Sequence, residues 1–249
     1  MKAIILAAGK GTRLGHYTKH IPKGMLQFAG MSLIERQVKT YRECGIDDII
    51  IITGYKAEKI WIGNVRTIFN KKYATTNMVE SLFCAEEEFG DGFIVSYADI
   101  VFEPQVLKRL ISHKSDIVVT VDISWKEYWM ARYGTIWEDA ESLVLGEDGG
   151  IVGIGKPHPK VSEMDARYVG LIKFTGEGLE VAKKIYHTND FQKAYMTDLL
   201  QAIIDSGAKV DSLEITKGWL EFDTVKDCEK AIEWVEDGSI KRFLNVEEK

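Results

Sequence analysis

The sequence predicts an α/β fold: a mixed, mainly parallel sheet with helices on both faces and a small insertion late in the chain. Three observations carry that expectation. Short all-apolar runs alternate with amphipathic stretches through the first half, the rhythm of strands buried on both faces and linked by crossover helices. The first run ends in a glycine-rich loop, and in open parallel sheets ligands sit beyond the carboxyl ends of the strands. The rhythm then breaks at residues 124–137, a segment crowded with aromatic side chains.

The elements follow in order. Ala3-Ile4-Ile5-Leu6 is a short apolar run closed by glycines, as a doubly buried strand requires. Leu33, Ile34, Gln37, Val38, Tyr41 and Cys44 recur at helical spacing, and Gly45 stops that helix. Ile49 to Ile52 is a second strand; Val65 to Phe69 and Phe93 to Tyr97 are two more, separated by a helix over Asn77 to Phe89. Pro104 opens a helix that runs to about His113, and Ile117 to Ile123 is the next strand. Beyond the aromatic segment come short strands about Leu143, Ile151 and Tyr168 to Phe174, helices near 176–187 and 194–206, a strand near 209–215 and a last helix over 225–236. This is a Rossmann-like order with a substrate-side insertion. No repeat, low-complexity tract or linker divides it, so a single domain, 1–249, is expected, with a loop-bearing part at about 1–123 and a second part at about 124–249.

Composition limits the function classes. With 45% apolar and 28% charged residues the chain has the material for a soluble core and is not a disordered tract. A net charge of −6 is a poor match to nucleic acid or an anionic membrane, so neither partner is expected. No run approaches the ~18 apolar residues of a membrane span, and the start shows no signal-peptide core. A cytoplasmic protein without membrane insertion, monomer or homodimer, is the expectation. Cys44, Cys84 and Cys228 are too scattered for a disulfide framework or a zinc spacing and are expected as buried small hydrophobes. Charge is also unevenly placed. Residues 1–34 hold no Asp or Glu but carry Lys2, Lys10, Arg13, Lys19 and Lys23, which prepares that end for an anion.

The loop Leu6-Ala7-Ala8-Gly9-Lys10-Gly11-Thr12-Arg13-Leu14 directly follows the first strand. Its small residues let backbone N–H groups approach phosphate oxygens or a base edge, and Lys10 and Arg13 add formal charge. It is not a dinucleotide fingerprint, because the third glycine position is Leu14 and the second strand ends at Thr53 rather than an acid. The P-loop spacing is absent as well. An anion-binding loop and a tight turn with surface charges both remain open. Pro22-Lys23 favours the first, since proline stiffens the chain that aims the ammonium. Asp99 ends a predicted strand and Asp223 precedes the last helix, where it also fits as a cap.

These residues together resemble the nucleotidyltransferases that make NDP-sugars and CDP-alcohols. The resemblance rests on the glycine loop with Pro22-Lys23, on Tyr97-Ala98-Asp99, on Gly155-Lys156-Pro157 and on Trp219-Leu220-Glu221-Phe222-Asp223-Thr224, in the family's order. Ala98 stands where the family usually has glycine. Within that family, Asn70 to Leu82 is similar to the stretch found in phosphocholine and phosphonate cytidylyltransferases, with Lys71 and Thr76 departing from the pattern.

The resemblance implies a Mg²⁺-dependent enzyme that joins CMP from CTP to a small phosphonate or phosphoalcohol, of 2-aminoethylphosphonate or phosphocholine type, and releases pyrophosphate. It implies that Leu6, Ala7, Ala8, Gly9, Lys10, Gly11 and Ala98 surround the nucleotide, with Thr76, Asn77 and Ser81 at the pyrimidine edge. Asp99 and Asp223 become ligands of Mg²⁺, Arg13 and Lys23 phosphate contacts, and Lys156 the contact to the acceptor's phosphorus group. Asp122, Trp129 and Tyr168 are candidates for the acceptor's other end. Asp122 also reads as a plain strand-end carboxylate, and Trp125, Tyr128, Trp129, Tyr133 and Trp137 read either as a cage for a quaternary ammonium or as ordinary core. The β-helical tail of bifunctional sugar enzymes is not expected at this length. The rival readings are a sugar-1-phosphate nucleotidyltransferase using UTP, dTTP or GTP, a non-catalytic nucleotide sensor and a nicotinamide reductase.

Overall fold

The structure, a computed structural model, describes residues 1–246; residues 247–249, the end of the expected second part, lie outside the described residues. Apart from a short hairpin of Gln27–Phe28 with Met31–Ser32, the strands are β1 (Lys2–Ala7), β2 (Ile49–Thr53), β3 (Arg66–Phe69), β4 (Gly92–Tyr97), β5 (Ile100–Phe102), β6 (Ile117–Asp122), β7 (Glu141–Leu145), β8 (Ile151–Pro157), β9 (Arg167–Thr175), β10 (Asp211–Ile215) and β11 (Trp219–Glu221). The helices are α1 (Leu33–Glu43), α2 (Met78–Phe83), α3 (Pro104–Ser112), α4 (Trp125–Tyr133), α5 (Gly176–Thr188), α6 (Met196–Asp205) and α7 (Val225–Glu236).

Seven strands form the central sheet in the order β10-β6-β9-β4-β1-β2-β3. β1 pairs parallel with β2 and β4, β2 with β3, and β6 with β10, while β9 runs antiparallel to both β4 and β6. The parallel pairs aim their carboxyl ends at one edge, so Ala7, Thr53 and Tyr97 finish side by side. Successive residues face opposite sides of a strand. Ile4 and Leu6 therefore join a core with α2, α5 and α6, and Ile5 and Ala7 join one with α1, α3, α4 and α7. Each fully buried isoleucine of β2 adds about 2 kcal/mol through the water it gives up, which is why an all-apolar strand is stable only under two helical layers.

Local chemistry sets the boundaries. Ser32 caps α1, accepting from the Glu35 N–H while the Glu35 carboxylate accepts from the Ser32 N–H. The helix expected over Asn77 to Phe89 is shorter: α2 ends at Phe83, and Glu86–Glu88 forms a separate 3-10 turn. Three consecutive glutamates offer no apolar stripe to prolong a helix. The break also lets Phe89 pack against Phe83 and Phe93, at ring separations of 5.4 and 4.3 Å. The cysteine expectation is corrected too: Cys228 is buried, but Cys44 is half-buried and Cys84 exposed. No helix among the described residues is long and apolar enough to cross a membrane.

Two features shape the open edge of the sheet. β5 and β11 form a small antiparallel ladder beyond β4, which carries the residue after Glu221 next to Asp99. The β7–β8 hairpin, outside the central sheet, packs near α6, where the Gln201 side chain accepts from the Ile154 N–H at 2.8 Å.

Candidate active site

The edge where β1 and β4 end opens into two adjoining cavities. The loop-side cavity, about 340 Å³, is lined by Leu6, Ala7, Ala8, Gly9, Gly11, Thr12 and Arg13 on one wall and by Tyr73, Thr76, Asn77 and Ser81 on another, with Ala98 at its base. Gly11 has φ of +59°, and a Cβ there would meet the Lys23 Cβ at 3.0 Å, so glycine lets the loop turn and lie against Lys23. On the second wall, buried Asn70 donates from Nδ2 to the hydroxyls of Thr76 (3.1 Å) and Ser81 (3.0 Å). Those hydroxyls donate in turn to the Lys72 and Asn77 carbonyls. Asn77 caps α2 through Oδ1, which accepts from the Met78 N–H at 2.9 Å.

The insertion-side cavity, about 380 Å³, shares Arg13, Lys23, Met78, Tyr97, Asp99, Tyr195 and Asp223 with the first. Its remaining walls include Trp129, Asp139, Glu141, Ser142, Arg167, Tyr168, Thr197 and Glu221. Gly170, at φ of +84°, sits where a Cβ would strike the Tyr97 ring at 2.9 Å, and so allows β9 to close against that ring.

Where the cavities meet, the Lys23 ammonium lies 2.6 Å from Asp99 Oδ2 and 2.5 Å from Asp223 Oδ1. Burial works against that ammonium, but Asp99 and Asp223 outweigh it, and the Lys23 pKa is raised. Arg13 Nη2 adds a contact to Asp223 Oδ2 at 2.5 Å. Asp99 Oδ1 is buried with no hydrogen-bond partner. A chain does not bury a carboxylate oxygen without a partner at no cost, so this atom is available to a ligand.

The aromatic segment has a different occupant from the one a cage reading supplies. The Arg132 guanidinium lies over Tyr128, Trp129 and Tyr133 at 5.1, 4.8 and 4.6 Å, and that of Arg167 over Trp125 and Trp129 at 5.2 and 4.2 Å. Trp125, Tyr128 and Trp129 are buried, and Trp137 is exposed. Trp125, Tyr128, Trp129 and Tyr133 thus pack against two arginines of the chain itself, and of the five rings only Trp129 lines either of the two cavities.

The structure thus gathers Arg13, Lys23, Asp99 and Asp223, with Leu6, Ala7, Ala8, Gly9, Gly11, Thr76, Asn77, Ser81 and Ala98 on one side and Trp129 and Tyr168 on the other. Three candidates lie elsewhere. Asp122 is buried outside both cavities, accepting from the Ser124 N–H at 2.8 Å and the Trp219 indole N–H at 2.9 Å; burial pushes its carboxyl up, partly offset by these bonds. Lys156 is 67% exposed and paired with Glu163 at 3.1 Å. Lys10 is exposed and lines neither cavity. Tyr73 lies within the Asn70 to Leu82 stretch but is not among the residues assigned a role from sequence, and Tyr195, Asp139, Glu141 and Arg167 come from loops and strand ends that carry no fixed spacing.

Comparison with known proteins shows the family. A model of the MobA-like NTP transferase domain matches residues 3–158. The chain is similar to the CTP:phosphoglutamine cytidylyltransferase of Campylobacter jejuni, 34% identical over 94% of this chain and 100% of that one. It is 31% identical to the choline-phosphate cytidylyltransferase of Streptococcus pneumoniae, over 92% of this chain and 96% of that one. A solved structure of CTP:phosphocholine cytidylyltransferase from Streptococcus pneumoniae superposes with a TM-score of 0.72 at 27% identity, covering 94% of this chain and 98% of that chain.

Proposed function

We propose a cytidylyl transfer reaction for this chain, which belongs to the MobA-like NTP transferase family. It takes CTP and a small phosphate or phosphonate acceptor, joins CMP to the acceptor and releases pyrophosphate. The observation that carries the reading is the junction: one buried ammonium, Lys23, between two carboxylates, Asp99 and Asp223, where the loop-side and insertion-side cavities meet.

Nucleotide chemistry favours the loop side. Glycine-loop N–H groups, Arg13 and Lys23 suit a triphosphate. The Thr76 and Ser81 hydroxyls spend their hydrogens on carbonyls, and each accepts from Asn70, which leaves a lone pair on each. Lone pairs suit the exocyclic amino group of cytosine and not the C4 carbonyl of uracil. That match, with the two curated cytidylyltransferases, supports CTP over the sugar-1-phosphate alternative.

On the other side, Asp139, Glu141 and Glu221 face the acceptor cavity. They favour an acceptor whose far end carries an amine or ammonium, and they take over the role that Asp122 and the aromatic cage fill in the sequence-based reading.

In the reaction an acceptor oxygen, already anionic, attacks the α-phosphorus as the bond to the β-phosphate oxygen breaks, and pyrophosphate leaves with that electron pair. No strong base is needed; alignment and charge neutralisation are. Lys23 holds the α-phosphate against the acceptor oxygen, and Arg13 steadies the leaving pyrophosphate. The residues fit Mg²⁺: among the described residues no set of three or more candidate ligands gathers, but Asp99 and Asp223 supply two hard oxygen donors, one of them unpartnered, and Mg²⁺ typically takes one or two carboxylates with substrate phosphates and water. Bound there, it would neutralise charge on the α-phosphate.

The test is pyrophosphate release with Mg²⁺, CTP, UTP, dTTP, ATP and GTP each being offered phosphocholine, 2-aminoethylphosphonate, phosphoglutamine and glucose-1-phosphate. Turnover with CTP and an amine-bearing acceptor, reduced about a hundredfold by Lys23→Ala, is the expected result. Turnover confined to UTP, dTTP or GTP with the sugar phosphate would overturn it.

A further inference from the structure

The Asp99 carboxylate hangs from a turn where the chain changes sheets. β4 leaves the central sheet at Tyr97, and β5 resumes at Ile100 in the ladder with β11. At such a switch, buried carbonyls that neither ladder reaches need donors. The Tyr97 and Ile100 carbonyls, two residues before Asp99 and one residue after it, are both met by one side chain. Gln37, on α1, donates to them from Nε2 at 2.7 Å each. Its Oε1 accepts from the Ser96 hydroxyl, also at 2.7 Å. Carbonyls only accept, so the amide nitrogen is the atom that faces them, and Ser96 holds the amide in that sense. The rest of the turn is tied as well. The Ala98 N–H donates to the Leu6 carbonyl at 3.1 Å, and the Asp99 carbonyl accepts from the Phe222 N–H at 2.9 Å.

Gln37 is 1% exposed and lies on the helix stripe that also carries Leu33, Ile34, Val38 and Tyr41. An amide in an apolar stripe costs stability unless its polar atoms are met, and here they are spent on the segment 96–100. α1 itself needs none of these bonds, since Ser32 and Glu35 close its start and aliphatic packing holds its face. We propose that Gln37 is a positioning residue for the reaction. By tying both ends of the Tyr97–Ile100 turn to one atom, it fixes the Asp99 carboxylate at the junction, 2.6 Å from the Lys23 ammonium. A displacement of about 1 Å in a reacting group costs up to about a hundredfold in rate, so a contact that sets the width of the turn behind Asp99 acts directly on turnover. The inference rests on reading Asp99 as part of the reacting junction, and not on which nucleotide the enzyme uses.

Gln37→Met keeps the length of the side chain but removes both N–H groups, so it is the informative variant. Steady-state turnover and melting temperature are measured for it, for Asp99→Asn and for the two combined. Gln37→Met is expected to lower kcat about tenfold. The KM for CTP should stay within about twofold, because the glycine loop and the Asn70–Ser81 wall keep their contacts. Added to Asp99→Asn, the same change should lower kcat by less than about twofold further, since the group that Gln37 positions is already lost. Ser96→Ala, which removes the hydroxyl that orients the amide, should give the same split between kcat and KM at about threefold. Leu179→Ala, in the core on the other face of the sheet, controls for lost stability alone and should leave kcat in place. A lowered melting temperature for Gln37→Met with kcat unchanged, or a tenfold loss repeated in full on top of Asp99→Asn, would overturn the inference and leave a packing role. Should Gln37→Met not fold, Ser96→Ala carries the test, and an unchanged kcat there overturns it equally. An Asp99→Asn enzyme near wild-type activity, or a wild type without turnover, would overturn the reading of the junction and the inference together.

Discussion

The two sides of the cleft are built by different means. On the loop side, backbone does the work: the small residues of the loop after β1 and the ends of β1 and β4 bring main chain to the cavity, and few side chains need exact placement. On the insertion side, buried ion pairs and arginine–aromatic packing hold the walls. Arg132 binds Asp227 and Glu221, and Arg167 donates to the Glu138, Asp139 and Glu141 carbonyls, which pins the strand entry that carries Asp139 and Glu141. A backbone-built pocket is tolerant of side-chain change and suits a ligand shared across a family. A pocket built on charge pairs is specific and costly to disturb, because removing one partner strands the other in a dry interior.

The largest effect that this contrast predicts is at the junction. Asp223→Asn or Asp99→Asn should lower turnover about a thousandfold while far-ultraviolet circular dichroism is unchanged; activity within tenfold of wild type would place the reacting phosphate elsewhere. On the insertion side, Asp227→Asn should cost about 3 kcal/mol of stability at neutral pH, the scale for breaking a buried pair. Burial opposes the Asp227 charge, but the Arg132 bonds and the Thr224 and Asp223 N–H groups outweigh it, so its pKa lies below the usual carboxylate value. For an acid held low in this way, the stabilisation is present above the unfolded pKa of about 3.9 and is lost as pH falls through the folded value. Melting curves of wild type and variant should therefore converge below pH ~4, and a gap constant from pH 7 to pH 3 would show that the charge is not what matters.

On the loop side, Asn70→Val removes the donor that orients Thr76 and Ser81 and should narrow the preference for CTP over UTP by about fivefold, the worth of roughly one hydrogen bond. A fall in both activities with the ratio intact would mean that Asn70 only packs. The smallest effect is at Lys156→Ala, which should change kcat/KM less than about twofold, as expected for an exposed side chain in a surface pair. A loss of tenfold or more would require Lys156 to swing from Glu163 into the cleft during turnover.

How much of this was legible follows from the same contrast. Loops that cradle a ligand with backbone must place glycine where φ is positive or a neighbour is close, as at Gly11 against Lys23, and that need leaves a mark in sequence. Strand ends and caps leave marks too, so Asp99, Asp223 and Asn77 could be picked out. Charge pairs leave none. Nothing in the spacing of Arg132 and Asp227 announces a bidentate bond, and the Trp219 indole that satisfies Asp122 belongs to a strand far along the chain. The strand Tyr168 to Phe174 was visible as β9, but its insertion antiparallel between β4 and β6 is a matter of topology that periodicity does not encode.

The most direct test follows the label from CTP carrying ³²P at the α-phosphate, incubated with Mg²⁺ and an amine-bearing phosphate or phosphonate acceptor. The account predicts that the α-label appears in a product joined to the acceptor, one pyrophosphate is released for each product formed, and both are lost in Lys23→Ala and Asp223→Asn. Label that leaves as free CMP without dependence on the acceptor, or that stays in CTP with every acceptor while another nucleotide is consumed, would contradict it.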